Sequence, residues 1–175
     1  MNTNELETII REELNRVCIS DKQETQTAQP AFDNMVLSIA KELSEAVEAE
    51  AARIGVNAVI AVSDRAARPV LVHVMEDAFI ASYDVALQKA FTVVALKMST
   101  IDLKPLAQPG GSLYGIQFTN DCHIVIFGGG EPLVVGERVI GGLGVSGGTE
   151  EQDTHLAAFG AAYFASHVKA LSWGK

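Results

Sequence analysis

Residues 127–153 read FGGGEPLVVGERVIGGLGVSGGTEEQD, and this stretch decides the fold. It sets glycine clusters around short β-branched runs, which is typical of strands joined by tight turns. Glycines at this density mark a backbone that turns sharply or lets a ligand or another subunit come close. Thr149 and Gln152 form a capping box, so a helix is expected to begin directly after Thr149.

Two functional motifs match parts of this stretch but lack their usual context. Residues 142–147, GLGVSG, fit the dinucleotide fingerprint, which needs a further strand with an acidic residue after the helix. Residues 144–148, GVSGG, fit the nucleophile elbow of α/β-hydrolases. The possible partners Asp153, His155 and His167 would all lie on one helix, where they cannot converge on one hydroxyl. Both alternatives are therefore disfavoured.

Hydrophobic periodicity predicts the remaining elements. Helices are expected over residues 33–53, 78–98 and 150–171, and strands over residues 58–63, 70–75, 123–127, 133–135 and 139–145. Asp33 is the expected cap of the first helix, and residues 101–117 are expected to form a long surface loop with at most one helical turn. The apolar stripe of the second helix is Phe79, Tyr83, Leu87, Ala90, Val94 and Met98. This order predicts an α+β fold in which helices flank one antiparallel five-stranded sheet.

The N-terminal residues differ in character from the rest of the chain. Residues 1–18 have the pattern of an amphipathic helix, with an apolar face of Leu6, Ile9, Ile10, Leu14 and Val17. Residues 19–31 are polar, contain Pro30 and lack periodicity, so we expect a flexible linker. We expect residues 32–175 to form one compact domain.

Composition excludes several classes of partner. The chain has 175 residues and a net charge of −9, which disfavours nucleic acid and anionic membranes as partners. Cys18 and Cys122 are far apart in sequence, so a structural disulfide is not expected and a reducing cytoplasm is the natural environment. No run has the length of a transmembrane helix.

Several segments resemble the GlcG/HbpS family, which includes the C-terminal domain of PduO proteins. They are FGGGEPL at residues 127–133, IGGLGVSGGT at 140–149, EQD at 151–153, AVSD at 61–64 and KAFT at 89–92. The resemblance covers residues 32–172. It implies a profilin-like α/β/α layout, a haem-binding or haem-degrading domain, haem as the cofactor and a homo-oligomer.

Residues 1–11 resemble the encapsulation peptides of propanediol-type bacterial microcompartments. This resemblance implies that residues 1–18 contact shell or cargo proteins and that the protein lies in the microcompartment lumen within the cytoplasm. The alternative is a helix that packs on its own domain or on a sister subunit.

Candidate ligand residues lie near the segments that carry the resemblance. His73 and Met75 share one strand face and are the expected soft donors, with His73 a possible axial haem ligand; alternatively, His73 faces solvent or a subunit. Lys89 is expected to pair with a haem propionate or with Glu151 or Asp153; alternatively, Lys89 with Glu151 or Asp153 forms a salt bridge between subunits. The amides of residues 147–150 are expected to bind a second anionic group. The further expected cofactor-binding residues are Ser82, Gly129, Gly130, Ser146, Gly147, Gly148 and Thr149.

The other histidines rank lower as ligands. His155 is a second choice, His123 is expected at a strand end, and His167 is expected in the core or an interface.

Three functions remain open from the sequence. The first is a haem- or tetrapyrrole-binding protein that holds or relays a redox cofactor without catalytic residues of its own. The second is an oligomeric scaffold that presents residues 1–18 and binds no cofactor. The third is an enzyme that binds a small acid at the glycine-rich loop, with Asp153 or His155 as the base.

Overall fold

The computed structural model describes residues 33–173. Its helices are α1 (Leu37–Arg53), α2 (Ser82–Leu96), α3 (Thr100–Ala107) and α4 (Glu150–Trp173), and its strands are β1 (Val59–Asp64), β2 (Pro69–Val74), β3 (Gly130–Val135) and β4 (Arg138–Ser146). Two short 3₁₀ turns, Ile116–Phe118 and Asn120–Cys122, lie between α3 and β3. The predicted helix at residues 1–18 and linker at 19–31 lie outside the described residues. None of the helices within residues 33–173 has the length and apolar character of a membrane span.

The strands form one antiparallel sheet in the order β2-β1-β4-β3. Helices α1 and α4 pack on one face, where Leu43 and Phe164 meet Ile60 and Leu143 in the larger core. Helix α2 covers the other face, where Ala86 and Ala90 pack against β1. The predicted α+β fold with helices on both faces of an antiparallel sheet is confirmed.

Within residues 33–173 the sheet has four strands, so the prediction of a fifth strand at residues 123–127 was wrong. Ile124 and Val125 are buried as a strand pattern suggests. However, the N–H of Val125 donates to the hydroxyl of Thr92 at 3.0 Å instead of to a neighbouring strand. The hydrogen-bond partner of this N–H is therefore a side chain of α2. Pairing with β4 begins only at Gly130.

Residues 100–107 form an eight-residue helix, longer than the single helical turn allowed in the surface loop expected over residues 101–117. The side chain of Ser99 caps α3 by accepting from the N–H of Asp102 at 3.2 Å. Pro105 lies in the final turn of α3, where its missing N–H removes a single helical bond. Ser99, three residues before Asp102, is the sequence signal for the start of this helix. The prolines at positions 105 and 109 led to the prediction of a loop instead.

The first helix begins at Leu37, later than predicted. Its N-cap residue is Val36, which makes no side-chain cap bond. Asp33 instead forms an ion pair with Arg65 at 2.9 Å, so its role as the cap of α1 was wrong.

Helix α2 buries Ser82, Ala86, Lys89, Ala90, Thr92 and Val93, so Ala90 is the one residue of the predicted stripe that is buried. A Cβ on Gly142 would lie 2.4 Å from the carbonyl oxygen of Ala90, and one on Gly144 would lie 2.0 Å from that of Ala86. The helix backbone therefore rests directly on β4. Phe79, just before the helix, and Tyr83, in its first turn, are exposed.

Candidate functional site

A buried ion pair joins α2 to the start of α4. Lys89 Nζ donates to Asp153 Oδ2 at 2.8 Å and to the carbonyl oxygen of Val145 at 2.7 Å. The Lys89 side chain has no exposed surface, and its Nζ lies 5.0 Å from the ring centroid of Phe127. Burial lowers the pKa of Lys89, and the nearby carboxylates of Asp153 and Glu150 oppose that shift. Of the partners predicted for Lys89, the structure shows Asp153.

The bend between β4 and α4 is held by the protein's own side chains. Asp153 Oδ1 accepts from the N–H of Gly148 at 2.9 Å, and Gln152 Oε1 accepts from the N–H of Thr149 at 2.9 Å. The N–H of Gln152 donates to Thr149 Oγ1 at 3.3 Å, so the predicted capping box is confirmed. The expected anion site at these amides was wrong for Gly148 and Thr149, because carboxylate and amide oxygens of the chain already accept from them.

Glu151 also belongs to this cap. Hydrogen bonds from its own backbone N–H and from the hydroxyl of Thr149 hold the pKa of Glu151 below its usual range. Its carboxylate therefore serves the helix start and does not pair with Lys89.

A pocket of about 300 Å³ opens beside the ion pair, between the start of α2 and the start of α4. It is lined by Phe79, Ala81, Ser82, Val85, Phe127, Ser146, Gly148, Glu150 and Asp153. Ser146 is the last residue of β4 and Ser82 the first of α2, and their hydroxyl oxygens lie 3.2 Å apart. Four predicted site residues therefore come together here: Ser82, Ser146, Gly148 and Asp153.

The glycines at the start of β3 make room for the ion pair. A Cβ on Gly129 would lie 2.6 Å from Lys89 Nζ, and one on Gly130 would lie 2.8 Å from Thr100 Cγ2. The N–H of Gly130 also donates to Thr100 Oγ1 at 2.9 Å. A Cβ on Gly147 would lie 2.4 Å from the backbone oxygen of Asn57. These three glycines were expected to contact a cofactor, but the structure packs them against the protein itself.

The structure does not bring His73 and Met75 to the pocket. His73 lies opposite Ile60 in the β1–β2 register, on the sheet face covered by α1, whereas the pocket lies on the α2 side. Its Nε2 contacts Glu48 Oε2 of α1 at 3.1 Å. Met75 Sδ accepts from the N–H of Ala58 at 3.3 Å. Both predicted soft donors therefore have partners within the fold.

Two more histidines contact glutamates of α1. His155 Nε2 lies 2.6 Å from Glu50 Oε1, and His167 Nε2 lies 3.0 Å from Glu42 Oε2. Hydrogen bonds from Arg53 and then His155 lower the pKa of Glu50 to about 2. These pairs link α4 to α1, so His155 is not a ligand of the pocket.

The remaining histidine is also outside the pocket. His123 is exposed and makes an edge contact with the Phe91 ring, with the ring centroids 5.8 Å apart. Within residues 33–173 no group of three or more His, Cys, Asp or Glu side chains could hold a metal ion.

Sequence reasoning missed the apolar walls and one carboxylate. Phe79 and Phe127 form walls, with 70% and 40% of their surfaces exposed. Glu150 joins the lining because Oε1 accepts from the N–H of Gly128 at 2.9 Å and Oε2 from Lys104 at 2.6 Å. These bonds lower the pKa of Glu150. Its position in the first turn of α4 could be read from the sequence, but its pairing with α3 could not.

Known proteins resemble this chain in sequence and in fold. The chain is 47% identical over 123 residues to the uncharacterized 15.0 kDa protein in the dhaT-dhaS intergenic region of Citrobacter freundii, covering 70% of this chain and 87% of that protein. The crystal structure of Klebsiella pneumoniae ORFY is 40% identical with a TM-score of 0.74, covering 81% of this chain and 98% of that one. The crystal structure of the PduOC:haem complex is 34% identical with a TM-score of 0.71, and the match covers 74% of this chain and 94% of that one.

A longer relative matches only in part. Corrinoid adenosyltransferase PduO of Salmonella typhimurium is 37% identical over 116 residues, which are 66% of this chain but only 34% of that protein. The family described as "Haem degrading protein HbpS-like" matches residues 35–162. Since this match covers most of the chain, the protein belongs to the HbpS-like family.

Proposed function

We propose that this protein binds haem and acts as a haem holder or redox accessory, without a catalytic group of its own. The observation that carries this proposal is the likeness to PduOC, whose structure was solved as a haem complex and aligns over 94% of its length. The pocket beside Lys89 is the proposed site of contact with the porphyrin.

The pocket fits part of a haem. Phe79, Val85 and Phe127 provide apolar walls of the kind that ligand sites use. Its volume of about 300 Å³ is at the low end for small-molecule sites, so it receives an apolar edge of the macrocycle and leaves the rest, including both propionates, outside. The lining contains no His, Met, Cys or Tyr, so a haem at this site would take its iron ligand from elsewhere. Haem itself would supply redox chemistry, while these residues would bind and orient it.

The alternative of an enzyme that acts on a small acid is disfavoured by the same lining. Its ionisable residues are Glu150 and Asp153, which repel a carboxylate, and it contains no histidine that could act as a base. Both carboxylates also form ion pairs within the fold, Asp153 with Lys89 and Glu150 with Lys104.

We further propose that the protein forms a homo-oligomer and that residues 1–18 direct it to a microcompartment by binding shell or cargo proteins. The amphipathic pattern of residues 1–18 supports the second part. Exposed apolar side chains near the pocket, Phe79 and Ile80 among them, support the first. Fusing residues 1–18 to a reporter tests the targeting: a reporter that stays outside the compartments would contradict it.

Haemin titration of the purified protein tests the haem proposal. We expect a shifted Soret band that saturates near one haemin per chain. Phe79→Ala should weaken the affinity about tenfold, because it removes an aromatic wall of the pocket. The matched control is Phe118→Ala, which removes an exposed phenylalanine outside the pocket lining and should leave the affinity unchanged. His73→Ala should also have no effect. The absence of a band at equimolar haemin would remove the proposal.

A further inference from the structure

The floor of the pocket is rich in hydrogen-bond acceptors. Each carboxylate oxygen of Glu150 and Asp153 already accepts one hydrogen bond from the protein. A carboxylate oxygen has two lone pairs, so each keeps capacity for one more bond. The two carboxylates can therefore accept donors from a molecule in the pocket.

The two serines add acceptors and a single free proton. Ser82 and Ser146 are 5% and 7% exposed and share one hydrogen bond at 3.2 Å. Their two hydroxyls carry two protons, and this bond uses one of them. Within the part of the chain that the structure describes, neither hydroxyl makes another hydrogen bond. Buried hydroxyls with unused capacity favour a polar ligand group at this end of the pocket.

No cation competes for these acceptors from inside the pocket. The lining contains no Lys, Arg or His. The Lys89 side chain is fully buried behind Asp153, and Lys104 reaches Glu150 from α3. The two ammonium groups fix the carboxylates in place, while the side chains presented to a guest offer acceptors only, apart from one hydroxyl proton.

The walls suit a cationic guest as well. Phe79 and Phe127 line the same pocket, and the face of an aromatic ring attracts a cation within about 6 Å of its centroid. Phe127 already makes this contact with Lys89. A cavity of about 150 Å³ holds a benzene molecule, so a pocket of about 300 Å³ accommodates one ring and a short amine.

We propose that this pocket is a binding site for small primary ammonium compounds with an aromatic or similarly apolar body. The three N–H groups of the ammonium donate to Glu150, Asp153 and one of the two serine hydroxyls, and the apolar body lies against Phe79 and Phe127. Carboxylates are excluded from the floor by Glu150 and Asp153. The inference goes beyond haem binding and does not rest on it, since it depends on the floor and not on a porphyrin.

Three matched probes test this inference: 2-phenylethylammonium, 2-phenylethanol and 3-phenylpropionate. They share a ring and a short chain and differ in the charge of the head group. Binding to the full chain is followed by amide chemical shifts of Ser82, Ser146 and Gly148. We expect the ammonium to bind at least about tenfold more tightly than the alcohol, because charge-assisted hydrogen bonds are stronger. The carboxylate should cause no shifts. Equal affinities, tightest binding of the carboxylate, or no shift with any probe would overturn the inference.

Two variants distinguish binding at the pocket carboxylates from nonspecific attraction of a cation to an acidic protein. Glu150→Gln removes a lining carboxylate and should weaken binding of 2-phenylethylammonium about tenfold. Glu151→Gln removes the neighbouring carboxylate, which does not line this pocket, and should have no effect. Ser82→Ala keeps both charges and should weaken the ammonium and the alcohol alike. Equal losses for Glu150→Gln and Glu151→Gln would mean nonspecific attraction and would overturn the site. Haemin titration of the same samples keeps the two proposals apart, since either ligand can fail to bind while the other binds.

Discussion

Lys89→Met is expected to lower the free energy of unfolding by about 3–5 kcal/mol, the usual cost of leaving a buried charge without its partner. Methionine nearly matches the length and apolar stem of lysine, so packing changes little. Asp153 keeps its bond to Gly148, but its 5%-exposed side chain loses the ammonium at 2.8 Å. Urea unfolding followed by circular dichroism measures the effect.

Two further variants assign this loss to the unpaired charge. Lys104→Met removes an ammonium that is 43% exposed in its pair with Glu150, and it should cost less than about 1 kcal/mol. Adding Asp153→Asn to Lys89→Met should recover part of the stability, because no charge then remains buried alone. If Lys89→Met and Lys104→Met cost the same, the buried pair does not hold α2 to α4.

Gly144→Ala should destabilise the fold by about 3 kcal/mol, at the upper end of the usual cost of overpacking. The added Cβ would lie 2.0 Å from the carbonyl oxygen of Ala86 and 2.7 Å from the nitrogen of Ala90. Both neighbours are backbone atoms of α2, so no side-chain rotation relieves the clash and the helix must shift. Because Ser82 and Val85 of α2 line the pocket, binding at the pocket should weaken in the same variant.

Gly136→Asn is the matched control for the glycine variant. Gly136 lies in the turn between β3 and β4 with φ +62°, and a Cβ there would meet no atom within 4 Å. Asparagine tolerates this conformation, so the free energy of unfolding should change by less than about 1 kcal/mol. Equal effects of the two substitutions in urea unfolding would contradict the close contact between α2 and β4.

The fold could be predicted from the sequence wherever one local signal sufficed. Two β-rich runs joined by a turn with Pro69 placed the paired strands β1 and β2. The capping box of Thr149 and Gln152 placed the start of α4. The prediction of a strand at residues 123–127 was wrong because the apolar pattern there reflects burial and not strand pairing. The N–H of Val125 donates to the hydroxyl of Thr92 instead. Helix α3 was not predicted because Pro105 indicated a loop, although Ser99 caps the helix.

The candidate site could be predicted only in part, because its chemistry depends on contacts across the sequence. The family resemblance singled out Lys89 and Asp153, and the structure pairs them across a sequence separation of 64 residues. His73 and Met75 were chosen for donor type, and strand alternation correctly placed them on one face. That alternation cannot say which face carries the pocket. The wall at Phe79 was missed because Phe79 was assigned to the apolar stripe of α2, whereas it precedes that helix and is exposed.

Paramagnetic broadening by ferric haemin tests the location of the proposed haem site most directly. Amide signals are recorded while haemin is added below one equivalent. The signals of Ser82, Phe127, Ser146 and Gly148 should broaden first, and those of α1, including Glu45 and Glu48, should persist. Broadening centred on His73 and α1, with the pocket signals intact, would contradict a haem site between α2 and α4.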